Sequence, residues 1–421
     1  MKILVVGNGF DLAHGLQTSY WSCLNFLYIA DQGTRDFPYW RSRIWCDSVR
    51  RDIDVDERLE NFSEIQIEFL KKYLIQFNSP NIKLVQDNGN SQINGILHEC
   101  ISDNLWLEYF WDVQKAHQKK GHKWVDFESD ISEVIQKIDN IVKTAESNNW
   151  SLYNHEHDFF FESDFKKNPH LRVLGAKIIA SIQKQFTYSS TNDEIKADII
   201  NQLYANLLKL TTAIEIYLKT CGMNFDDPFM GYLEIDHVDK VISFNYTDTF
   251  KMYMNNDNDE NICHIHGKIR EKLTSIYSPL VLGIDEYLSK EERDNDVDWV
   301  MFKKFFQRIY RHSDFKYKGW PEFSSSDEIK KSTTELYIVG HSLDVTDRDV
   351  LRDLILRDNQ ITKIFYRNST QMANELKNLI RVIGSDELNK RCRSIPPSII
   401  FVEQKYSYYW LCEDMTIDPS Q

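Results

Sequence analysis

The chain lacks the paired cysteines of a structural zinc site. Of its 421 residues seven are cysteines, and no two of them stand in a CxxC pair, which argues against a zinc ribbon. Their number is odd and their positions are scattered, as is typical of free thiols in a reducing compartment. We therefore expect a cytoplasmic protein.

Long hydrophobic runs are also missing. No stretch approaches the roughly eighteen consecutive apolar residues from which a transmembrane helix is built. The apolar run at the N-terminus is too short for a secretory signal peptide. The sequence therefore predicts no membrane partner.

Basic residues are fewer than acidic residues in this chain. The chain has 50 lysines and arginines against 64 acidic residues, a formal net charge of −14. A broad nucleic-acid surface needs clustered basic side chains, so we expect none here, although a local basic groove is compatible with this balance. The apolar content of 42% is ample for a core, and the length predicts two to three domains or one domain with a large insertion.

The first fifteen residues are the most informative segment. Residues 2–6 are almost wholly apolar, which predicts a parallel strand covered on both faces. A Gly-Asn-Gly turn follows at 7–9 and leads into the start of a helix. Such a unit exposes N–H groups that bind a nucleotide phosphate. The alternative is a tight turn without a ligand, because Leu12 replaces the third glycine of the dinucleotide fingerprint.

Strand-like runs recur in the second half of the chain, and several end in Gly, Asn or His. This pattern fits a parallel sheet with functional loops at its carboxyl ends. The predicted strands are 2–7, 240–245, 262–266, 279–283, 336–340, 363–366 and 398–402. Between them, helical apolar spacing predicts helices at 64–75, 104–117, 131–145, 171–186 and 195–219, with loops at 87–91 and 146–149.

We therefore predict an α/β, Rossmann-like, doubly wound parallel sheet with a large helical insertion after the first βα unit. Residues 1–20 and 236–412 form the split nucleotide-binding domain, 21–235 form the insertion, and 413–421 form a tail. In such a sheet the carboxyl ends at the switch point converge on one crevice. The segments 243–247, 264–267 and 340–344 can then face the same ligand as the first turn.

Each of these segments has more than one interpretation. Asn245 suits a contact to a ribose hydroxyl or a water, or the capping of its strand. His264 and His266 share a face if the strand continues, which suits a metal pair, a general base at His266 or a core histidine. Asp344 suits a helix N-cap or a place beside a second phosphate or ribose. A serine hydrolase fits poorly, because the chain has no GxSxG elbow.

The predicted insertion contains one further acidic pair. Asp126 and Glu128 open a helix, where acids are favoured by the helix dipole. The alternative is a polar contact from either side chain to the crevice.

Taken together, these motifs resemble the bacteriophage abortive-infection AbiH family. The resemblance rests on the opening VVGNGFDLAHGL at 5–16 and on four short segments, WVDFE, SFNYT, HIHG and VGHSL, which occur here in the order that this family shows. It covers residues 3 to about 350. That family is in turn similar to sirtuin-like NAD-binding domains.

The resemblance implies a set of site residues. Asn245 and His266 correspond to the pair that cleaves the nicotinamide–ribose bond in sirtuin-like NAD hydrolases. The implied nucleotide-binding residues are Gly7, Asn8, Gly9, Phe10, Asp11, Gly340, His341, Ser342 and Asp344. The zinc-binding cysteines of true sirtuins are absent, so protein deacylation is not expected.

The resulting expectation is an antiphage effector that binds NAD or a related nucleotide and hydrolyses its N-glycosidic bond without a metal. Two alternatives stay open. One is a nuclease or RNA-directed toxin that uses the histidine pair and the acids Asp126, Glu128 and Asp344, with or without a metal. The other is a non-catalytic nucleotide sensor. Assembly into a homo-oligomer is compatible with the sequence.

Overall fold

The computed structural model describes residues 1–45, 58–59, 62–78, 88–149, 151–152, 169–187, 189–221, 237–254, 258–273, 275–285, 297–313, 315–323 and 333–404. These residues form two compact units. The sheet unit contains the described residues within Met1–Thr18, Met223–Ile269 and Arg308–Gln421, and the helical unit contains those within Ser19–Gly222 and Arg270–Gln307. The predicted boundary at 235–236 and the predicted tail at 413–421 lie outside the described residues.

The sheet unit is built on six parallel strands. They are β1 (Lys2–Val6), β2 (Lys240–Ser243), β3 (Ile262–His264), β4 (Thr334–Val339), β5 (Gln360–Tyr366) and β6 (Ile399–Glu403). Their order in the sheet is β3-β2-β1-β4-β5-β6, and each neighbouring pair is parallel. This is the strand order of the dinucleotide-binding Rossmann fold, and the order reverses between β1 and β4. The predicted Rossmann-like α/β class is confirmed.

Helices make up most of the remaining described structure. In chain order they are α1 (Asn8–Ala13), α2 (Tyr20–Arg35), α3 (Phe37–Trp45), α4 (Glu64–Asn78), α5 (Asn88–Ile101), α6 (Leu105–Gln118), α7 (Phe127–Ser147), α8 (Pro169–Gln185), α9 (Asn192–Thr220), α10 (Lys304–Arg311), α11 (Arg348–Ile355), α12 (Ser369–Ile383) and α13 (Ser385–Arg393). None of them combines the length and apolar character that crossing a membrane requires.

Strand β1 is buried on both faces, as its unbroken apolar run predicts. Successive side chains point to opposite faces of a sheet. Ile3 and Val5 pack on the face that also holds the apolar residues of α11 and α12. Leu4 and Val6 pack on the other face, with Phe10 of α1. All four strand side chains have no exposed surface.

The predicted strand at 279–283 is wrong, because no strand forms there. The segment belongs to the helical unit. The side chain of Gln307 takes the place of a neighbouring strand: its Oε1 accepts from the backbone N of Leu282 at 3.1 Å, and its Nε2 donates to Leu282 O at 2.9 Å. An apolar run whose backbone groups are satisfied in this way is buried without joining a sheet.

The five predicted helices are present, but the two predicted loops are partly wrong. Helix α5 begins at Asn88 and α7 continues to Ser147. Helix propensity is a weak preference that tertiary packing overrides, even for Asn and Gly, and α5 buries its later apolar residues, among them Leu97 and Cys100. The packing of this apolar face outweighs the local preference of its first turn.

The described residues within 270–307 belong to the helical unit, although the sequence assigned this range to the α/β domain. One buried ion pair holds this segment. Glu215 of α9 is fully buried and accepts from Arg270 at its backbone N (2.8 Å), Nε (3.0 Å) and Nη2 (2.8 Å). Lys219, one turn further along α9, donates to the carbonyl of Arg270 at 2.9 Å.

Candidate functional site

The turns that follow β1 and β4 are hydrogen-bonded to each other at the switch point of the sheet. The backbone N of Gly7 donates to Val339 O at 3.1 Å, and the N of Gly9 donates to Gly340 O at 2.8 Å. A Cβ on Gly7 would lie 2.6 Å from the Cα of His341. Gly340 has a φ of +66°, and a Cβ there would overlap the backbone N of Phe10. The glycines are required by the close approach of these two turns.

Asn245 joins the end of β2 to the turn that follows β1. Its Nδ2 donates to Gly7 O at 2.9 Å, and the side chain is almost fully buried. The Oγ of Ser243 accepts from the backbone N of Asn245 at 3.1 Å and donates to its carbonyl at 3.0 Å. The ends of β1, β2 and β4 are therefore brought together, as the sequence predicts for a site at the switch point.

Asp11 contacts the loop that contains Asn245. Its Oδ2 accepts a hydrogen bond from Thr247 Oγ1 at 2.6 Å, and Thr247 is in turn 3.1 Å from Thr249 Oγ1. Burial raises the pKa of Asp11 to about 6, although the hydrogen bond from Thr247 opposes this shift. The carboxyl group therefore links the helix after the glycine turn to the loop after β2.

Replacing Asp11 by Asn is expected to change how stability depends on pH. The folded-state pKa is about 6 against an ordinary value of 3.8, so the folded protein binds the extra proton more tightly than the unfolded chain. The contribution of Asp11 to stability is fully present below about pH 4 and is lost as the pH rises through about 6. Relative to the wild type, Asp11→Asn should therefore gain up to about 3 kcal/mol across this window. Urea unfolding of both proteins at each pH measures the difference, and a difference that is constant with pH would contradict this expectation.

His266 makes a buried contact with the carboxylate of an aspartate that the sequence did not single out. The Nε2 of His266 lies 3.0 Å from Asp347 Oδ1, and His341 Nε2 lies 3.7 Å from Asp347 Oδ2. All three side chains are buried. The ring of Phe244 packs edge-on against both imidazoles, with centroid distances of 5.5 Å to His266 and 4.2 Å to His341. These contacts give the imidazole of His266, the predicted general base, a defined orientation.

His264 and His266 contact different carboxylates. The Nε2 of His264 lies 3.1 Å from Asp248 Oδ1, whereas His266 faces Asp347. Burial would raise the pKa of Asp248, but hydrogen bonds from His264 and Lys268 hold it well below its usual range. Because β3 ends at His264, His266 lies in the turn beyond it and strand alternation no longer places the two rings together.

The other predicted nucleotide contacts occupy the same turns. Asn8 Oδ1 accepts from Thr18 Oγ1 at 2.6 Å, and Phe10 is fully buried. The carbonyl of exposed Ser342 accepts from Asn378 Nδ2 at 2.9 Å. Asp344 caps a short helical turn by accepting from the backbone N of Thr346 at 3.0 Å. Asp344 is therefore an N-cap, one of the two interpretations that the sequence allows, and its segment lies at the switch point.

Asp126 and Glu128 have structural partners within the helical unit. Asp126 is the N-cap of α7 and accepts from the backbone N of Glu128 and of Ser129 at 3.1 Å each. The carboxylate of Glu128 pairs with the buried Nζ of Lys304 at 2.7 Å. Asp126 thus lies at the start of α7, where the helix-dipole interpretation places an acid.

Two site residues were missed by sequence reasoning, Asp347 and Thr247. Asp347 lies in a segment whose acids fit a helix start equally well, and a threonine after a strand carries no distinctive pattern. Both acquire their roles from contacts between segments far apart in the chain, with Thr247 and Asp11 separated by 236 residues. No local signal could have selected them.

The fold and the convergence of three strand ends define a Rossmann-like α/β protein with a candidate ligand site at the switch point. The family model of bacteriophage abortive infection AbiH matches residues 3–367. The chain belongs to this family and is therefore a phage abortive-infection defence protein. Neither a curated protein nor a solved structure gives a significant match to the chain.

Proposed function

We propose that this abortive-infection protein binds NAD, or a closely related nucleotide, at the switch point of the sheet and hydrolyses the N-glycosidic bond of this substrate. The observation that carries the proposal is the joining of three sequence-distant strand ends. Gly9 is bonded to Gly340, and Asn245 is bonded to Gly7. In open α/β sheets of this strand order, nucleotides bind outside the carboxyl ends of the strands at this point.

The residues of the site suit a dinucleotide. The N–H groups of Gly7, Gly9 and Phe10 donate to Val339 O, Gly340 O and Gly7 O, so the backbone N of Asn8 is the proposed contact for the pyrophosphate. Ser342 and Asp344 are the proposed neighbours of a ribose. The Nδ2 of Asn245 is engaged by Gly7 O, so Oδ1 is the amide atom that would accept from a ribose hydroxyl or orient a water. His266 lies in the turn directly after β3, the strand beside β2.

The proposed chemistry is a dissociative hydrolysis. The bond between ribose C1′ and the nicotinamide nitrogen breaks, and its electron pair leaves with nicotinamide, which departs neutral. Water forms the new C1′–O bond on the oxocarbenium-like ribose, and His266 accepts the proton that this water loses. The products are nicotinamide, ADP-ribose and a proton. Asn245 positions the water or the ribose hydroxyls in this scheme.

The test is incubation of the purified full-length protein with NAD, followed by separation of nicotinamide and ADP-ribose. Wild-type protein should release both in equal amounts. His266→Ala should lower the rate by about 10²- to 10⁴-fold, the usual contribution of a general base. A matched control is His237→Ala, since His237 is exposed and precedes β2; its rate should equal that of the wild type.

Three outcomes would contradict the proposal in different ways. Tight binding of NAD or ADP-ribose without turnover would favour a non-catalytic sensor. Cleavage of RNA or DNA instead of NAD would favour a nuclease. Undiminished NAD cleavage by His266→Ala would refute the assigned base while leaving the activity in place.

A further inference from the structure

We infer that Asp347 is a positioning residue that holds His266 with its proton on Nε2, so that Nδ1 is the nitrogen that accepts a proton. The inference deepens the proposed function and rests on it for the role of His266 in catalysis. The assignment of the proton itself depends only on contacts within the sheet unit.

The first contact is that between His266 and Asp347. The 3.0 Å separation of Nε2 and Oδ1 is that of a hydrogen bond. An ionised carboxylate only accepts, so the imidazole must donate from Nε2. In a neutral histidine the other nitrogen then carries the lone pair. The two groups are 5% and 6% exposed, so water competes little for this hydrogen bond.

The second contact orients the carboxylate from its other side. His341 Nδ1 accepts from the backbone N of Leu343 at 2.9 Å. Its proton must therefore be on Nε2, which lies 3.7 Å from Asp347 Oδ2. This distance exceeds that of a good hydrogen bond, so the interaction is the attraction between an N–H dipole and a carboxylate in a buried setting. Asp347 thus faces an N–H group at each of its two oxygens.

The backbone next to His341 is strained in a way that maintains this arrangement. Leu343 is fully buried and has a φ of +56°, in the left-handed region that residues other than glycine seldom adopt. This conformation directs the N–H of Leu343 towards His341 Nδ1. Strain of this kind concentrates at functional sites, where the surrounding structure maintains it. In this arrangement His341 orients Asp347, and the cofactor contact that the sequence suggested for His341 stays a prediction.

The decisive experiment reads the imidazole protons directly. Full-length protein carrying ¹⁵N-labelled histidine is examined by two-bond ¹H–¹⁵N correlation spectroscopy at pH 7.5 without nucleotide. The resonances are assigned with His266→Gln and His341→Gln. We expect both histidines to be neutral with the proton on Nε2. A proton on Nδ1 of His266, or an imidazolium at this position, would overturn the inference.

Two variants test whether Asp347 is the cause. In Asp347→Ala the acceptor is absent, and the population of His266 with its proton on Nε2 should fall. Asp347→Leu also lacks an acceptor and retains the side-chain volume should the alanine variant fail to fold. An unchanged proton position in the folded variant would overturn the inference. The control Asp358→Asn alters an exposed aspartate in the turn before β5 and should leave the spectrum of His266 unchanged.

Kinetics then connect the proton position to the reaction. If the wild type cleaves NAD, Asp347→Asn should lower kcat by at least about 100-fold with KM changed only a few-fold, because the loss is in base catalysis rather than in binding. A change in KM alone would overturn the positioning role. A wild type that does not cleave NAD would refute the proposed function, whereas the proton assignment would stand on the spectra.

Discussion

Replacing Gly340 by alanine is expected to lower the free energy of unfolding by about 3 kcal/mol or more, from backbone strain and overpacking together. The residue has a φ of +66°, which disfavours any side chain. A Cβ would also overlap the backbone N of Phe10, and backbone atoms cannot move aside as the end of a flexible side chain can. The turns after β1 and β4 would have to separate. Urea unfolding measures the loss of stability.

Gly15 supplies the matched control for this substitution. Its φ is +78°, and a Cβ there would meet no atom within 4 Å. Gly15→Ala therefore introduces the strain without the overlap, and we expect a loss of about 1 kcal/mol. Equal losses for the two variants would show that the contact between the turns is not what requires glycine at position 340.

Replacing Glu215 by alanine is expected to cost about 3–5 kcal/mol, the range found when one partner of a buried ion pair is removed. Glu215 is fully buried and Arg270 is bonded to it through three nitrogen atoms. In the variant, the guanidinium and the backbone N–H of Arg270 would lose their acceptor. Loss of this anchor should also make the segment after residue 270 more susceptible to proteolysis.

The double variant Glu215→Met with Arg270→Met is the control. Replacing both members of a buried pair by apolar side chains of similar volume is often neutral or stabilising. The double variant should therefore recover the part of the loss that comes from the unpaired guanidinium, although the backbone N–H of Arg270 still lacks its acceptor. A thermodynamic cycle with Glu215→Met and Arg270→Met isolates the pair interaction. A double variant no more stable than Glu215→Ala would show that the ion pair is not the main contribution of Glu215.

The local parts of the fold follow from patterns that act over a few residues. The unbroken apolar run of β1 predicts burial on both faces, and all four of its apolar residues are buried. Helix α7 begins where Asp126 caps it. By contrast, the run at 279–283 is as apolar as a strand and forms none, and the backbone groups of its Leu282 are satisfied by the side chain of Gln307. The apolar pattern of a segment predicts that the segment is buried, but it does not predict which groups form hydrogen bonds with its backbone.

The candidate site also has features that local sequence patterns predict and features that only the assembled sheet provides. The glycine turn, Asn245, His266 and the segment at 340–344 are recognisable because each ends a predicted strand, and the general behaviour of parallel sheets places strand ends along one edge. The strand order that sets β1 between β2 and β4, and with it the bond from Asn245 to Gly7, is a property of the assembled sheet.

The sequence by itself determined the α/β class, the family and the set of strand ends that could form a site, because periodicity and glycine turns act locally. Only the tertiary structure decided that the described residues within 270–307 belong to the helical unit, that Asp11 is bonded to Thr247, and that His266 faces Asp347. The physical reason is that a buried polar side chain must find a partner. That partner is selected by proximity in the folded chain, and proximity between distant segments has no signature in the sequence.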